Sequence, residues 1–264
     1  MKKKAFAGFR YFYLALLMLF LYAPILTLII LSFNSSKTRQ QWGGFTLDWY
    51  SRLFQNEQIM QALYNTLILA VSAAAIATLI GTLASMGMMS MKKRARAVYM
   101  NVTNIPMLNA DIVTGISLML IFIVVRMSFG FASVLLAHIT FCIPYVILSV
   151  MPRLRQFNPH TYEAALDLGA TPVYAFFKVV LPDILPGIIS GFLLSFTMSL
   201  DDFIITHFTK GPGIDTLSTK IYSELKKGIK PEMYALSTLL FITVFILLIG
   251  VQYLPKKSSK GVTA

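Results

Sequence analysis

Six long apolar runs, at about 9–32, 63–90, 102–125, 131–151, 184–206 and 233–254, constrain this chain more than any other feature. A helix that crosses a bilayer needs roughly 20 mostly apolar residues, and each run meets or approaches that length. Only 13% of the 264 residues are charged, where a soluble domain carries about a quarter. With 56% hydrophobic residues and a mean hydropathy of +0.70, a core of this size cannot hide so much apolar surface from water. The reading is an all-α integral membrane protein with six transmembrane helices.

Charge placement supports that reading. The net charge is +12, but the cations sit in short clusters between the apolar runs, where juxtamembrane anchors belong. A nucleic-acid partner is therefore not expected. Fourteen of the 23 Lys and Arg residues, from Lys2, Lys3 and Lys4 to Lys256, Lys257 and Lys260, fall inside if both termini are cytoplasmic. Five of the other nine crowd the 207–232 loop and blunt the bias. The first run resembles a secretory leader, but it is too long and lacks a small-x-small cleavage site, so it reads as retained. Three segments follow: 1–62, a first span with its outer loop; 63–254, a core of five spans; and 255–264, a cytoplasmic tail.

Several kinds of chemistry find no support in the sequence. Cys142 is the only cysteine, so neither an internal disulfide nor a cysteine metal framework is expected. His138, His160 and His207 show no ligand spacing, and there is no GxxxxGK[ST] phosphate loop. The second run is rich in small residues, among them Ala73, Ala74, Ala77, Gly81 and Ser85, which allow close helix packing. Met86, Met88, Met89 and Met91 within it read as packing filler.

The stretch 152–183 differs from every other connection. Asn158-Pro159 supplies an N-cap followed by proline at the first helical position, and Gly169 is a helix stop. Thr171-Pro172 repeats the start, and Pro182 is expected to end the second segment. Two short angled helices should lie at the membrane surface, the second with Val173, Phe176, Phe177 and Val180 as an apolar stripe. Glu163-Ala164-Ala165, three residues, Gly169, nine residues, Val179, one residue, Leu181-Pro182 resembles the EAA loop of ABC importer permeases, with valine for the usual isoleucine. The resemblance implies the type I importer (MetI-like) permease fold, with a coupling helix that docks on a separate ATPase. There Glu163 and Asp167 would meet basic groups, Ala164 and Ala165 would allow close approach, and Gly169 would set the bend.

Three acids, Asp111, Asp201 and Asp202, lie inside apolar runs. A charge there costs about 2.5–3.5 kcal/mol or more and marks function by default. No Lys or Arg lies within a run except at its ends, so a passing cationic substrate is the expected counter-charge. At 1.5 Å per residue the carboxylates fall at different depths, roughly 13 Å for Asp111 and 25 Å for Asp201. Such a ladder suits a linear polyamine. Ser195, Ser199 and Asp202 share one face of a continuous helix, and Asp201 lies with Met198 and Ile204. A rival role for Asp111 is to cap a new helix after a break near Pro106 and Asn109. In the outer loop Trp42, Phe45, Trp49 and Tyr50 read as an interfacial belt, with Trp49 the best placed of them to receive a cation.

A narrower resemblance covers most of the chain. Phe33-Asn34-Ser35-Ser36, Gly44-Phe45-Thr46 with Trp49-Tyr50, Asp111-Ile112-Val113, His138 through Cys142 with Pro144, and Ser195-Phe196 through Asp202 are similar to PotC-type permeases of spermidine/putrescine importers. That similarity implies a substrate path at Asp111, Ser199, Asp201, Asp202 and Trp49. It also implies partners: a homologous PotB-like permease, two PotA-like ATPases carrying ATP and Mg, and an external PotD-like binding protein. This chain would bind no cofactor and would be no enzyme, and it would sit in the bacterial inner membrane. Other cargo (thiamine, ferric iron, an amino-acid-like solute) and a proton-coupled secondary transporter are the competing readings.

Overall fold

The computed structural model describes residues 2–36, 40–228 and 230–253. The tail 255–264, with Lys256, Lys257 and Lys260, lies outside the described residues. Among the described residues twelve α-helices follow one another: α1 (Lys2–Ser32), α2 (Asp48–Gln55), α3 (Glu57–Ser90), α4 (Lys93–Leu108), α5 (Asp111–Val124), α6 (Phe131–Gln156), α7 (Pro159–Asp167), α8 (Pro172–Ala175), α9 (Leu181–Asp201), α10 (Ile204–Thr209), α11 (Leu217–Lys227) and α12 (Pro231–Tyr253). A π turn, Phe176–Val180, joins α8 to α9. Among the described residues the only extended pairing is a bridge between Asn34 and Phe45.

By length and apolarity four helical stretches among the described residues can cross a membrane: 10–32, 57–90, 131–156 and 172–201. A fifth crossing is available if α4 and α5, bent by 104°, make one broken span. The sixth expected run falls on α12, whose qualifying stretch, Pro231–Ile246, is shorter. The apolar runs and helices therefore correspond, while a count of six spans goes beyond the length test.

Two compact units emerge. The first holds the described residues of 2–60 and 221–253, where α12 packs along α1 and α2. The second, residues 61–220, is organised around α6. Val146 and Val150 of α6 are fully buried beside Ala77 of α3 and Ile184 of α9. Glycine sets these distances. A Cβ on Gly81 would stand 2.7 Å from the Val146 Cβ, and one on Gly191 would stand 3.2 Å from the Val146 Cα. Small residues thus let α3 and α9 approach α6 closely, as the second run predicted. Met88 fills space against Ile147 and Met151.

Candidate functional site

The elbow between α6 and α9 is built by local signals. Asn158 Oδ1 accepts the His160 amide at 3.1 Å, and Pro159 sits where a missing N–H is harmless. α7 ends in paired backbone bonds, Gly169 N–H to the Leu166 carbonyl and Ala170 N–H to that of Ala165. That pattern puts the residue just past the helix cap in the left-handed region, and Gly169, which follows the cap Leu168, has φ +88°. Thr171 Oγ1 then accepts the Tyr174 amide. Pro182 does not end the second segment as expected. It stands in the first turn of α9, and the chain stays helical from 172 to 201. The π turn makes this continuity possible: Leu181 N–H reaches back five residues to the Phe176 carbonyl, a wider ladder that tolerates the proline.

The elbow's surface is apolar. Leu168 is 90% exposed, and Val173, Tyr174 and Phe177 are also open. Glu163, Ala164, Asp167 and Gly169 are exposed, while Ala165 and Leu181 are half-buried. Glu163 already holds a neighbour, His160 Nδ1 at 2.9 Å.

The second feature is a cavity of about 560 Å³ lined by Asp111, Asp201 and Asp202, by Phe141, Tyr145 and Phe203, and by Thr197, Met198, Ile204 and Ile205. Two helix breaks create it. Asn109 and Ala110 are extended, so α4 stops and α5 starts afresh at Asp111. Asp111 lies in the first turn of α5, where free amides favour a carboxylate; the capping position itself belongs to Ala110. At the second break α9 ends on Asp201 and Asp202 is extended. Asp202 therefore does not share a helical face with Ser195 and Ser199. Its carboxylate accepts the amides of Ile205 at 3.2 Å and Thr206 at 2.8 Å, and the Thr206 hydroxyl at 2.9 Å. The depth arithmetic for Asp111 does not apply, because it assumed a straight helix and the chain bends by 104° just before that residue. All three carboxylates border one chamber.

Behind the Asp202 wall lies a fully buried histidine. His138 Nδ1 is 2.7 Å from Ser199 Oγ, and its Nε2 is 2.8 Å from Thr206 Oγ1 and 3.4 Å from Asp202 Oδ2. Among the described residues no Lys, Arg or His lines the cavity. Its chemistry suits a cation, which carboxylates attract and aromatic faces accept.

Residues 77–257 match the family of binding-protein-dependent transport system inner membrane components. This chain belongs to that family. The permease is also similar to the spermidine/putrescine transport system permease protein PotC of Escherichia coli K12, with 39% identity over 244 residues and 92% of each chain covered. The putrescine transport system permease protein PotI of the same strain is 39% identical over 248 residues, covering 91% of this permease and 88% of its own length. Among solved structures, a bacterial ABC transporter that imports alginate superposes with a TM-score of 0.73 at 16% identity, covering 98% of both chains. The MetNI methionine transporter gives 0.59 at 17% identity, covering 75% of the permease and 96% of its own chain. These likenesses establish the type I importer permease fold in a multi-pass inner-membrane protein.

The structure treats the other expected site residues unequally. Ser199 is 2% exposed and is committed to His138. Trp49 belongs to the first unit, 5% exposed, so it is a core residue there and not an interfacial belt residue. Its Nε1 donates to the Asn34 carbonyl at 2.7 Å, and the Arg52 guanidinium covers its ring at 5.2 Å. Sequence reasoning missed Phe141, Tyr145 and Phe203 as lining and His138 as the hub. A polar residue inside an apolar run was the available signal for His138.

Proposed function

We propose that this permease is the transmembrane subunit of an ATP-driven importer of polyamines, spermidine and putrescine, and forms half of the translocation path. One observation carries the reading: Asp111 and Asp201 stand exposed on an aromatic-walled cavity that, among the described residues, no cationic side chain lines. Ammonium groups on an alkyl chain supply the missing charge and contact the rings. The relatives' names point to the same cargo.

The rest of the machine follows from the elbow and the family. Leu168, Val173 and Phe177 would seat in a cleft on a PotA-like ATPase, with Glu163, Ala164, Ala165, Asp167 and Gly169 at the contact and Leu181 and Pro182 joining it to α9. ATP and Mg belong to that partner, and this chain performs no bond chemistry. A PotB-like permease would complete the path, and a PotD-like binding protein would deliver cargo from outside. Both termini would be cytoplasmic, because most of the cations then lie inside.

The test is uptake by the assembled transporter in liposomes. Asp201→Asn or Asp111→Asn should cut spermidine uptake by more than about tenfold, the loss expected when a charge pair in a low-dielectric path goes missing. Normal uptake in both variants, or wild-type transport of a neutral or anionic solute in place of polyamines, would sink the proposal.

A further inference from the structure

We infer that His138 is a positioning residue: it clamps Asp202 into the start of α10 and so leaves Asp201 and Asp111 as the carboxylates that meet the cargo. The clamp follows from proton accounting. A threonine hydroxyl has one proton to give, and that of Thr206 goes to Asp202 Oδ2. Thr206 Oγ1 must then accept from His138, so His138 Nε2 carries a proton. In the neutral ring Nδ1 is left as acceptor for the Ser199 hydroxyl. The bonds run one way, from Ser199 through His138 and Thr206 to Asp202, and tie α9, α6 and α10 together.

Asp202 has little capacity left. A carboxylate offers about four lone-pair sites, and three are already filled by Ile205 N–H, Thr206 N–H and Thr206 O–H. Turning Asp202 toward a passing ammonium would undo the first turn of α10. Its neighbour Asp201 sits one residue earlier and exposed; among the described residues no hydrogen bond or ion pair reaches its side chain or that of Asp111. His138 also stands edge-on to Phe141, with ring centroids 5.3 Å apart, and so fixes one aromatic wall of the chamber. A single buried imidazole therefore divides two adjacent aspartates between two duties.

The part of this inference that concerns cargo rests on the polyamine reading; the clamp does not. The experiment uses the assembled transporter with His138→Leu, the near-isosteric Thr206→Val, the double variant, and His138→Gln, whose amide restores a donor near Nε2. Backbone amide exchange over 203–209 and the KM and Vmax of spermidine uptake are both measured. Losing a hydrogen bond to a charged group should speed exchange at Ile205 and Thr206 and raise KM, each by about tenfold, in either single variant. The double variant should be no worse than a single one, since both cut one chain, and His138→Gln should recover most of the loss. Unchanged exchange in His138→Leu and Thr206→Val, multiplying effects in the double variant, or a Gln variant no better than Leu would overturn the inference. If the wild type moves no polyamine, the cargo reading falls, and exchange alone then decides the clamp.

Discussion

The elbow and the acidic cavity belong to the same compact unit, yet they are specified in opposite ways. The elbow is written in contiguous residues: an asparagine cap, two prolines at helix starts, and a glycine at φ +88° act over three or four positions. The cavity is written in absences. It exists because helices stop, at Asn109–Ala110 and again after Asp201, and because residues 90 positions apart then face one chamber. Local chemistry builds an exposed apolar elbow, and interrupted regularity builds an acidic chamber; under the proposed function the first would meet another protein and the second a small charged solute.

The largest effect that would separate the two regions comes from Asp201→Lys. A cation fixed in the cavity should depress polyamine uptake by more than about a hundredfold, with the ATPase still bound at the elbow. If the ATPase dissociates, the two regions are not separable in this way. Next in size is Leu168→Glu. A charge at the 90% exposed tip of the elbow should weaken ATPase co-purification by about tenfold, as for loss of an apolar anchor. Undiminished recovery of the ATPase would remove Leu168 from the contact.

Gly169→Val should have a smaller effect. A Cβ there meets nothing within 4 Å, so only the left-handed backbone resists it, by about 1–2 kcal/mol. Coupled ATP turnover should fall several-fold while spermidine KM holds; a larger change in KM than in turnover would count against this. The smallest effect is expected from Trp49→Phe, which removes the bond to the Asn34 carbonyl and about 1 kcal/mol of stability. Thermal unfolding should register it, and KM should move less than about twofold. A tenfold rise in KM would restore Trp49 to the path.

What was legible in the sequence follows the same division. The Asn158 and Thr171 caps and the Gly169 stop depend on neighbours in the chain, and each appears where expected; the apolar runs appear as helices, with those at 102–125 and 184–206 each broken in two. Pro182 misled because proline usually ends a helix; a five-residue-wide ladder is a property of the turn before it, and no single residue announces it. Asp202 misled because adjacent residues were placed on one continuous helix, whereas the chain breaks between them. The choice of Ser199 as lining overlooked His138, 61 residues away, whose Nδ1 is hydrogen-bonded to its hydroxyl. Trp49 carried the composition of a belt residue, and only tertiary packing shows its ring covered by Arg52.

The π turn at 176–180 has a consequence for phase. Phe177 and Ile184 are seven residues apart, close to two full α turns, and in an unbroken α-helix they would share one stripe. Here Phe177 lies open and Ile184 is wholly buried against α6. The wide turn uncouples the angular setting of the elbow from that of the span that follows it. An open side and a packing side can therefore each take its own direction along what is otherwise one rod.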